Sequence, residues 1–172
     1  MFGGIALGVM EVIRSRRSIR KYKKKEIPEN TLKEILEAAR LAPSGANRQF
    51  WKFIVVRDEE KKRGLVPLCR DQKFIEECSA FIAAVDDPTQ KWYRVDVAIA
   101  LDHLSLAAAE KGLGTCWIGA FDQEKVAEYL GVPKGLVVTV CMTLGYPAES
   151  PEARPRKPLE DLVYWEKYGE KK

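Results

Sequence analysis

The sequence predicts an α+β domain of about four strands, one long buried helix and further helices around them. Four apolar runs have the length of strands, at residues 51–56, 79–85, 115–118 and 136–144. The last run carries no charged residue, which predicts a central strand of a sheet. The longest helical segment, residues 92–111, lacks proline and glycine and has apolar residues around most of its circumference. Such a helix has to be buried from several sides, which in a small chain indicates a subunit interface.

Length and composition are those of one globular domain. The chain has 172 residues, of which 46% are hydrophobic and 31% charged, and its net charge is +4. That length suits a substantial core, and the charge is too small to indicate nucleic-acid binding by itself. The apolar residues 1–9 are too short to span a bilayer and are interpreted as an N-terminal extension to one domain, residues 10–172. No later run reaches spanning length without charges, so no membrane association is predicted.

Cysteine and histidine usage indicates no metal site. The four cysteines show no Cys-x-x-Cys spacing, and His103 is the sole histidine. Three of the cysteines, Cys78, Cys116 and Cys141, lie in or beside apolar runs, which is typical of buried thiols in a reducing cytosol. A cytoplasmic protein is therefore expected.

Helical elements in the first half follow from spacing and from proline. A helix begins near Met10. A second helix begins at residues 27–30 and continues through residues 32–39 with the spacing of an amphipathic helix. It ends before Pro43, because proline disfavours helical geometry in the residue that precedes it.

The later elements are marked by charges and glycines. Residues 57–64 are charged and predict a turn and a short helix. Residues 112–114, Gly-Leu-Gly, end the long helix, and Asp122 is a suitable N-cap for a helix that continues to Leu130. From Gly145 onward the chain is rich in proline and charge, which predicts an extended C-terminal tail.

Four polar or glycine-containing segments interrupt this core-like pattern, at residues 16–20, 43–49, 112–120 and 154–158. The first, Arg-Arg-Ser-Ile-Arg, places three guanidinium groups and a hydroxyl within five positions. Arginine pairs through two parallel hydrogen bonds with phosphate or carboxylate, although such a cluster alone is more often a solvated basic face. The first and last segments together suit one phosphate group. Three side chains of the second suit a planar heterocycle: Ser44, Asn47 and Gln49.

The segment that starts at Gly112 is not a dinucleotide-binding fingerprint. The third glycine of G-x-G-x-x-G would fall at Trp117, and the segment follows a helix and enters a strand. The dinucleotide motif follows a strand and opens a helix. The sequence also contains no P-loop, no G-x-S-x-G motif and no pair of catalytic carboxylates at a telling position.

Taken in order, four segments resemble the nitroreductase family of FMN flavoproteins: residues 16–20, residues 42–51 (Ala-Pro-Ser-Gly-Ala-Asn-Arg-Gln-Phe-Trp), residues 112–121 and residues 154–159 (Arg-Pro-Arg-Lys-Pro-Leu). The resemblance extends over roughly residues 10–162 and is to the short form of the family. It implies a mostly antiparallel sheet flanked by helices, in a homodimer that holds two flavins at its interface. The long helix of residues 92–111 agrees with that expectation.

The resemblance assigns the cationic residues to the phosphate half of an FMN site. Arg17 would lie near the phosphate and the ribityl chain, and Arg20 by the pyrimidine edge of the isoalloxazine ring. The residues that would bind the phosphate itself are Arg16, Ser18, Arg154 and Arg156.

Further residues are assigned, by the same resemblance, to the ring. A loop would reach the flavin from the other subunit with Pro43, Ser44, Gly45 and Asn47. The end of a strand would lie against the ring near N5 with Trp117, Ile118, Gly119 and Ala120, and a backbone N–H of Gly119 or Ala120 would support N5. Gln72 would approach the pyrimidine edge. Many family members have a glutamate where this chain has Gly119, so a charge near the ring is missing.

The implied activity is a ping-pong transfer of two electrons from NADH or NADPH to a small electron-poor acceptor, such as a nitroaromatic or a quinone. The flavin would carry the reaction, and Arg20 would stabilise the negative charge of the reduced ring, so no acid–base side chain is required. Trp92, Tyr93 and Phe74 are candidates for stacking on an acceptor, and equally suit ordinary core or interface positions.

Three alternatives remain open from the sequence. The same scaffold could act on a specialised substrate, in dehalogenation or flavin fragmentation. The chain could bind FMN without catalysis. The basic residues 16–25 could bind nucleic acid, but Tyr22 is their sole aromatic residue and several stacking residues would be needed, so no nucleic-acid partner is predicted.

Overall fold

The computed structural model describes residues 8–172, which form a five-stranded sheet with helices against both of its faces. The helices are α1 (Val9–Ser15), α2 (Glu29–Arg40), α3 (Glu59–Leu68), α4 (Phe74–Glu77), α5 (Tyr93–Glu110) and α6 (Gln123–Tyr129). The strands are β1 (Tyr22–Lys23), β2 (Lys52–Val56), β3 (Ala80–Asp86), β4 (Gly114–Ile118) and β5 (Val137–Pro147). Most of the predicted extension, residues 1–9, lies outside the described residues, and the domain boundary stays a prediction.

β5 lies at the centre of the sheet, as its apolar sequence predicted. It pairs antiparallel with β3, with β4 and, through its last residues, with β1, while β3 also pairs antiparallel with β2. The predicted α+β fold with an antiparallel sheet is therefore confirmed. β5 continues to Pro147 instead of ending at residue 144, because β1, which the sequence did not predict, pairs with Tyr146 and Pro147.

The sheet separates two apolar cores. Alternate residues of a strand point to opposite faces, so Ile82 of β3 packs with α2 and α5, and Phe81 packs with α3 and α6. Every residue of β3 is buried. This burial explains why residues 79–85 form a continuous apolar run rather than an alternating one.

α5 is the long helix expected between Trp92 and Lys111. Its buried stripe contains Val97, Leu101 and Leu104, which pack against the sheet and α2. Val95 is 51% exposed and Leu106 is partly exposed. One side of this apolar helix is thus uncovered within the protomer, and the predicted subunit interface stays a prediction.

α3 is longer than the charged pattern of residues 57–64 predicted. It begins after Asp58, whose carboxylate accepts a hydrogen bond from the Lys61 N–H at 2.8 Å, and it continues past Gly64 to Leu68. Gly64 does not end the helix but makes room for α6, since a Cβ there would lie 2.2 Å from the Tyr129 hydroxyl. α6 starts after Asp122, the predicted N-cap, whose side chain accepts from the Lys125 N–H.

The predicted C-terminal tail follows β5 and contains one short 3-10 turn, Leu159–Asp161. Beyond residue 156 its hydrogen bonds are internal, for example from the Trp165 N–H to the Glu170 carbonyl at 2.9 Å. The tail leaves four large apolar side chains exposed: Leu159, Leu162, Trp165 and Tyr168.

All four cysteines are free and buried, including the three predicted to be so. Burial raises the pKa of the Cys69 and Cys78 thiols to about 12, which makes them unreactive. Within residues 8–172 no helix has the length and apolar character needed to cross a membrane.

Candidate functional site

The two cationic segments that were predicted to share a phosphate meet around one cavity of about 460 Å³. Its walls are the end of α1, the segment that follows it, and residues 151–156. The charged and hydroxyl groups that line it are those of Arg14, Arg16, Arg17, Ser18, Arg20, Glu152, Arg154 and Arg156. The ion pairs within residues 8–172 involve other side chains, so these arginines have no carboxylate partner in the described part of the chain.

The pairing of β1 with β5 brings the two segments together. Next to that pairing, the Ala148 N–H donates to the Lys21 carbonyl at 2.9 Å, and the Arg20 N–H donates to the Glu149 carboxylate. These bonds place the chain that leads to Arg154 beside residues 18–22. Glu149 thus holds the two segments together through the Arg20 N–H, a role that its position in the sequence did not indicate.

A pair of glycines lets residues 18–22 cross the sheet. Gly114 of β4 is paired with Gly145 of β5. A Cβ on Gly114 would lie 2.4 Å from Cγ1 of Ile19, and one on Gly145 would lie 2.8 Å from Cδ1 of Tyr22. The Ile19 N–H donates to the Thr115 carbonyl at 2.9 Å, which fixes the basic segment to β4.

Tyr22 fixes the far end of this crossing. Its hydroxyl donates to the Ile19 carbonyl at 2.8 Å and lies 2.8 Å from the Thr143 hydroxyl. Burial raises the pKa of Tyr22 far above its ordinary value, so the phenol stays protonated and keeps these bonds.

Two of the cavity's guanidinium groups are oriented by backbone carbonyls. Nη1 of Arg17 donates to the carbonyl of Arg14 at 2.6 Å and to that of Arg16 at 2.9 Å, which satisfies acceptors at the end of α1. Nη1 of Arg156 donates to the Arg154 carbonyl at 3.2 Å. Arg14 is the one arginine of the cavity that the sequence did not suggest.

The positive field of the cavity reaches β4. Burial raises the pKa of the Cys116 thiol, and the guanidinium groups of Arg20 and Arg16 act in the opposite direction. A cation lowers the pKa of a nearby thiol because it stabilises the thiolate. A negative group in this space would be stabilised in the same way.

The strand end predicted to meet the ring presents uncovered backbone. Gly119 and Ala120 directly follow β4 and are both exposed, and a Cβ on Gly119 would have no atom of residues 8–172 within 4 Å. The preceding Ile118 is buried and Trp117 is partly buried. Nε2 of Gln72 donates to the Ala120 carbonyl at 3.1 Å, so Gln72 lies beside this strand end, and its approach to the pyrimidine edge stays a prediction.

The loop of residues 43–49 does not line the cavity of its own protomer. It forms a 3-10 turn, Gly45–Asn47, between α2 and β2. The Gly45 N–H donates to the Asp96 carboxylate, and the Gln49 N–H donates to Oγ of Ser44 at 3.1 Å. The position of Pro43, Ser44, Gly45 and Asn47 against a flavin of the other subunit stays a prediction.

Left-handed backbone conformations occur mainly in the loop of residues 43–49 and directly before Gln72, two of the places assigned to the ring. Within residues 8–172, the non-glycine residues with positive φ are Ala46, Asn47, Gln49, Arg70, Asp71 and Glu166. The first three lie in the loop of residues 43–49, and the next two directly precede Gln72. Each such residue costs about 1–3 kcal/mol, and strain of this kind is most often found at binding sites.

Comparison with known proteins agrees with this arrangement. The model of the nitroreductase family matches residues 13–90 and 72–146. An NADH dehydrogenase of Thermus thermophilus is 33% identical over 188 residues, covering 87% of this chain and 92% of that protein. An FMN reductase (NAD(P)H) of Bacillus subtilis is 30% identical, covering 92% and 74%. The structure of a Vibrio harveyi NADPH:FMN oxidoreductase complexed with NAD+ is 28% identical with a TM-score of 0.87, covering 94% and 78%.

Proposed function

The chain belongs to the nitroreductase family and is an FMN-dependent NAD(P)H oxidoreductase, and from this premise we propose that it reduces small electron-poor acceptors such as nitroaromatics and quinones. We further propose a ping-pong order, in which the nicotinamide leaves before the acceptor binds.

The single observation that carries the proposal is the arginine-lined cavity. A phosphate monoester has three strongly accepting oxygens and a charge of about −2, and a guanidinium group binds it through charge-assisted hydrogen bonds. The guanidinium groups of the cavity, which have no carboxylate partner within residues 8–172, and the Ser18 hydroxyl match that donor requirement. We propose that Arg16, Ser18, Arg154 and Arg156 bind the phosphate of FMN, with Arg17 beside it.

The other half of the site suits a planar ring. Bound FMN would supply the two-electron chemistry. The uncovered backbone of Gly119 and Ala120 offers N–H groups to a ring nitrogen, and Arg20 offers a positive charge to a ring that becomes negative. Because Gly119 has no side chain, the space above the backbone is open, and both substrates could occupy it in turn.

An uncovered apolar surface supports a homodimer. Between α1, α2 and α5 lies a cavity of about 320 Å³ that is lined by Val9, Val12, Ala38, Leu41, His103, Leu106, Ala107 and Glu110. Leu41 is 64% exposed at its rim. Large apolar patches on a protein surface are typical of interaction sites. We propose that a second copy covers this face and that the loop of residues 43–49 enters the partner's site.

A cytoplasmic location is proposed on the state of the cysteines. All four are free, which is typical of a reducing compartment.

The first test is an absorption spectrum of the purified protein after FMN has been added and the excess removed. We expect a retained yellow flavin that bleaches when NADH or NADPH is added without oxygen, and whose colour returns when a nitroaromatic or a quinone follows. Parallel double-reciprocal plots at several acceptor concentrations would support the ping-pong order.

Other outcomes separate the alternatives. Flavin that bleaches and is reoxidised only by a halogenated aromatic would favour dehalogenation. Retained flavin that neither nucleotide bleaches would favour a silent FMN-binding protein or a special reductant. A protein that retains no FMN would contradict the assignment of the cavity, and the basic residues 16–25 would then have to be tested against nucleic acid.

A further inference from the structure

Asp96, in the first turn of α5, makes the contact that fixes the loop of residues 44–49. Both of its carboxylate oxygens accept from the Gly45 N–H, Oδ1 at 3.1 Å and Oδ2 at 3.2 Å. One turn earlier, Trp92 packs on the same residue, since a Cβ on Gly45 would lie 2.9 Å from Cδ1 of Trp92. The start of α5 therefore holds Gly45 by a hydrogen bond and by close packing.

Asp96 is a charged residue in a buried position. It is 9% exposed, and the ion pairs formed within residues 8–172 involve other side chains. A buried carboxylate without a cation is unfavourable unless hydrogen bonds compensate it. The compensation visible here is the Gly45 N–H, together with the N-terminal turn of an 18-residue helix, where unpaired N–H groups favour negative charge. The burial of this charge is therefore linked to the loop.

The loop needs an external contact because its backbone is strained. Ala46, Asn47 and Gln49 have φ values of 51°, 55° and 53°, which are unfavourable for residues other than glycine. Other hydrogen bonds recorded for residues 44–49 are internal to the loop, such as those from Nε2 of Gln49 to Oδ1 and to the carbonyl of Asn47, both at 3.0 Å. The bond from Gly45 to Asp96 is thus the one that joins the loop to another element of the described chain.

We infer that Asp96 is a positioning residue for the cofactor site: it holds Ser44 and Asn47 in the arrangement in which they meet the flavin of the partner subunit. The inference rests on the proposed function, because it needs the loop to be part of an FMN site. Asp96 itself touches neither flavin nor substrate. It acts through the Gly45 N–H and through the strained turn that follows.

The test uses the full-length protein and three variants. Asp96→Ala removes both acceptors, and Asp96→Asn keeps the size of the side chain and one oxygen acceptor. Glu60→Ala is the control, because Glu60 is an exposed carboxylate in the first turn of α3, which packs on the other face of the sheet from α5. The readouts are the FMN dissociation constant from titration of the apoprotein, the visible circular dichroism of the bound flavin, and the hydrogen exchange of the backbone amides of residues 44–49.

We expect Asp96→Ala to weaken FMN binding about tenfold or more, to change the flavin dichroism, and to speed exchange in residues 44–49 at least tenfold. Asp96→Asn should fall between this variant and the wild type, and Glu60→Ala should match the wild type. If Asp96→Ala does not fold, Asp96→Asn is the variant that tests the inference, and its FMN binding should be weaker than that of the wild type by about threefold or more.

A folded Asp96 variant with the wild-type dissociation constant, dichroism and loop exchange would overturn the inference, even if its melting temperature were lower, because a purely structural role predicts that pattern. The exchange measurement needs no flavin. If the wild type retained no FMN, the proposed function would fail. The exchange of residues 44–49 would still test the loop contact separately: faster exchange in Asp96→Ala would show that Asp96 holds the loop, and unchanged exchange would show that it does not.

Discussion

At the scale of single residues, Arg16 and Ser18 should decide whether the protein retains FMN. Both line the cavity, and Ser18 is held in place by the bond from the Ile19 N–H to Thr115. A hydrogen bond to a charged group contributes about 1.5–3 kcal/mol, so Arg16→Ala should weaken FMN binding roughly tenfold to a hundredfold, and Ser18→Ala less. Fluorescence titration measures the dissociation constant, with Arg63→Ala, an exposed arginine of α3, as the control. Full flavin content in Arg16→Ala and Ser18→Ala would show that the phosphate binds elsewhere.

Arg20 is predicted to act on the potential of the flavin rather than on its retention. Its backbone N–H is bonded to Glu149, a bond that Arg20→Ala leaves intact, so the segment should keep its position. Loss of the guanidinium charge should make the reduced, negative ring less stable and lower the two-electron potential by some tens of millivolts, where about 30 mV corresponds to ~1.4 kcal/mol. Anaerobic redox titration against an indicator dye measures the shift. An unchanged potential would refute the electrostatic role of Arg20.

The buried carboxyl group of Asp86 makes the free energy of unfolding depend on pH. It is 1% exposed, its Oδ2 accepts from the Thr139 hydroxyl at 2.7 Å, and its Oδ1 has no hydrogen-bond partner within residues 8–172. Burial, assisted by the charge of Asp96, raises the pKa of Asp86 to about 6. The folded state therefore binds this proton more tightly than the unfolded state. The contribution of this difference to the free energy of unfolding is fully present below about pH 4 and is lost as pH rises through about 6.

Asp86→Asn should for that reason raise the free energy of unfolding at pH 8, by at most about 2–3 kcal/mol, and change it little at pH 4. Urea unfolding of variant and wild type at pH 4, 6 and 8 measures the difference. Asp87→Asn is the control, and its effect on the free energy of unfolding should have the opposite sign, because hydrogen bonds from Thr89 lower the pKa of the half-buried Asp87. An equal effect of Asp86→Asn at pH 4 and pH 8 would contradict the explanation.

The residue types in the sequence were enough to predict which segments line the cavity, but not which other side chains hold those segments in place. Arg16, Ser18 and Arg154 stand in short runs whose residue types already suit a phosphate. Glu149 and Asp96 act through backbone N–H groups, at Arg20 and Gly45, that are 129 and 51 positions away in the chain. A lone carboxylate in a sequence carries no sign of such a partner, so these two roles required the fold.

At the scale of elements, the Gly114–Gly145 pair controls how the basic segment crosses the sheet. A Cβ on Gly114 would come within 2.4 Å of Ile19, so Gly114→Ala must displace the segment that carries Ser18. Overpacking of this kind costs about 1–3 kcal/mol, and the displacement should also weaken FMN binding. Thermal unfolding and flavin titration measure the two effects. Gly119→Ala, where a Cβ meets nothing within 4 Å, is the control for stability. A normal melting temperature and flavin content in Gly114→Ala would contradict this account.

Elements were predictable where burial determined them. β3 and the apolar part of β5 were evident because strands buried on both faces need apolar residues throughout. β1 was not, since its two residues, Tyr22 and Lys23, lie in a charged run that is too short to show the alternation of a strand. The predicted helix in residues 57–64 was shorter than α3 because it followed the charged run, and that run ends at Gly64, which provides space for Tyr129.

At the scale of the whole molecule, one protomer leaves an apolar surface uncovered and, on the proposed function, needs a loop of a second copy to complete its candidate site. The loop of residues 43–49 is held by α5 but does not line the arginine-lined cavity. The uncovered cavity beside Leu106 lies on the same helix. The apolar residues around the circumference of helix 92–111 indicated this surface, but the sequence does not specify which residues of a second copy would cover it. A single dimer would account for both features.

The dimer can be tested through Leu41, the most exposed of the large apolar residues lining that uncovered cavity after Val9. A glutamate there would place a charge in the proposed interface, where an unpaired charge is strongly unfavourable. We expect Leu41→Glu to be monomeric by light scattering at micromolar concentration, to keep the α+β circular dichroism of the wild type, and to lose FMN, because the partner's loop would be absent. Lys134→Glu, an exposed charge change in the turn before β5, should stay dimeric and yellow. A dimeric Leu41→Glu would place the interface elsewhere, and a monomer that retains its flavin would show that the site needs no second subunit.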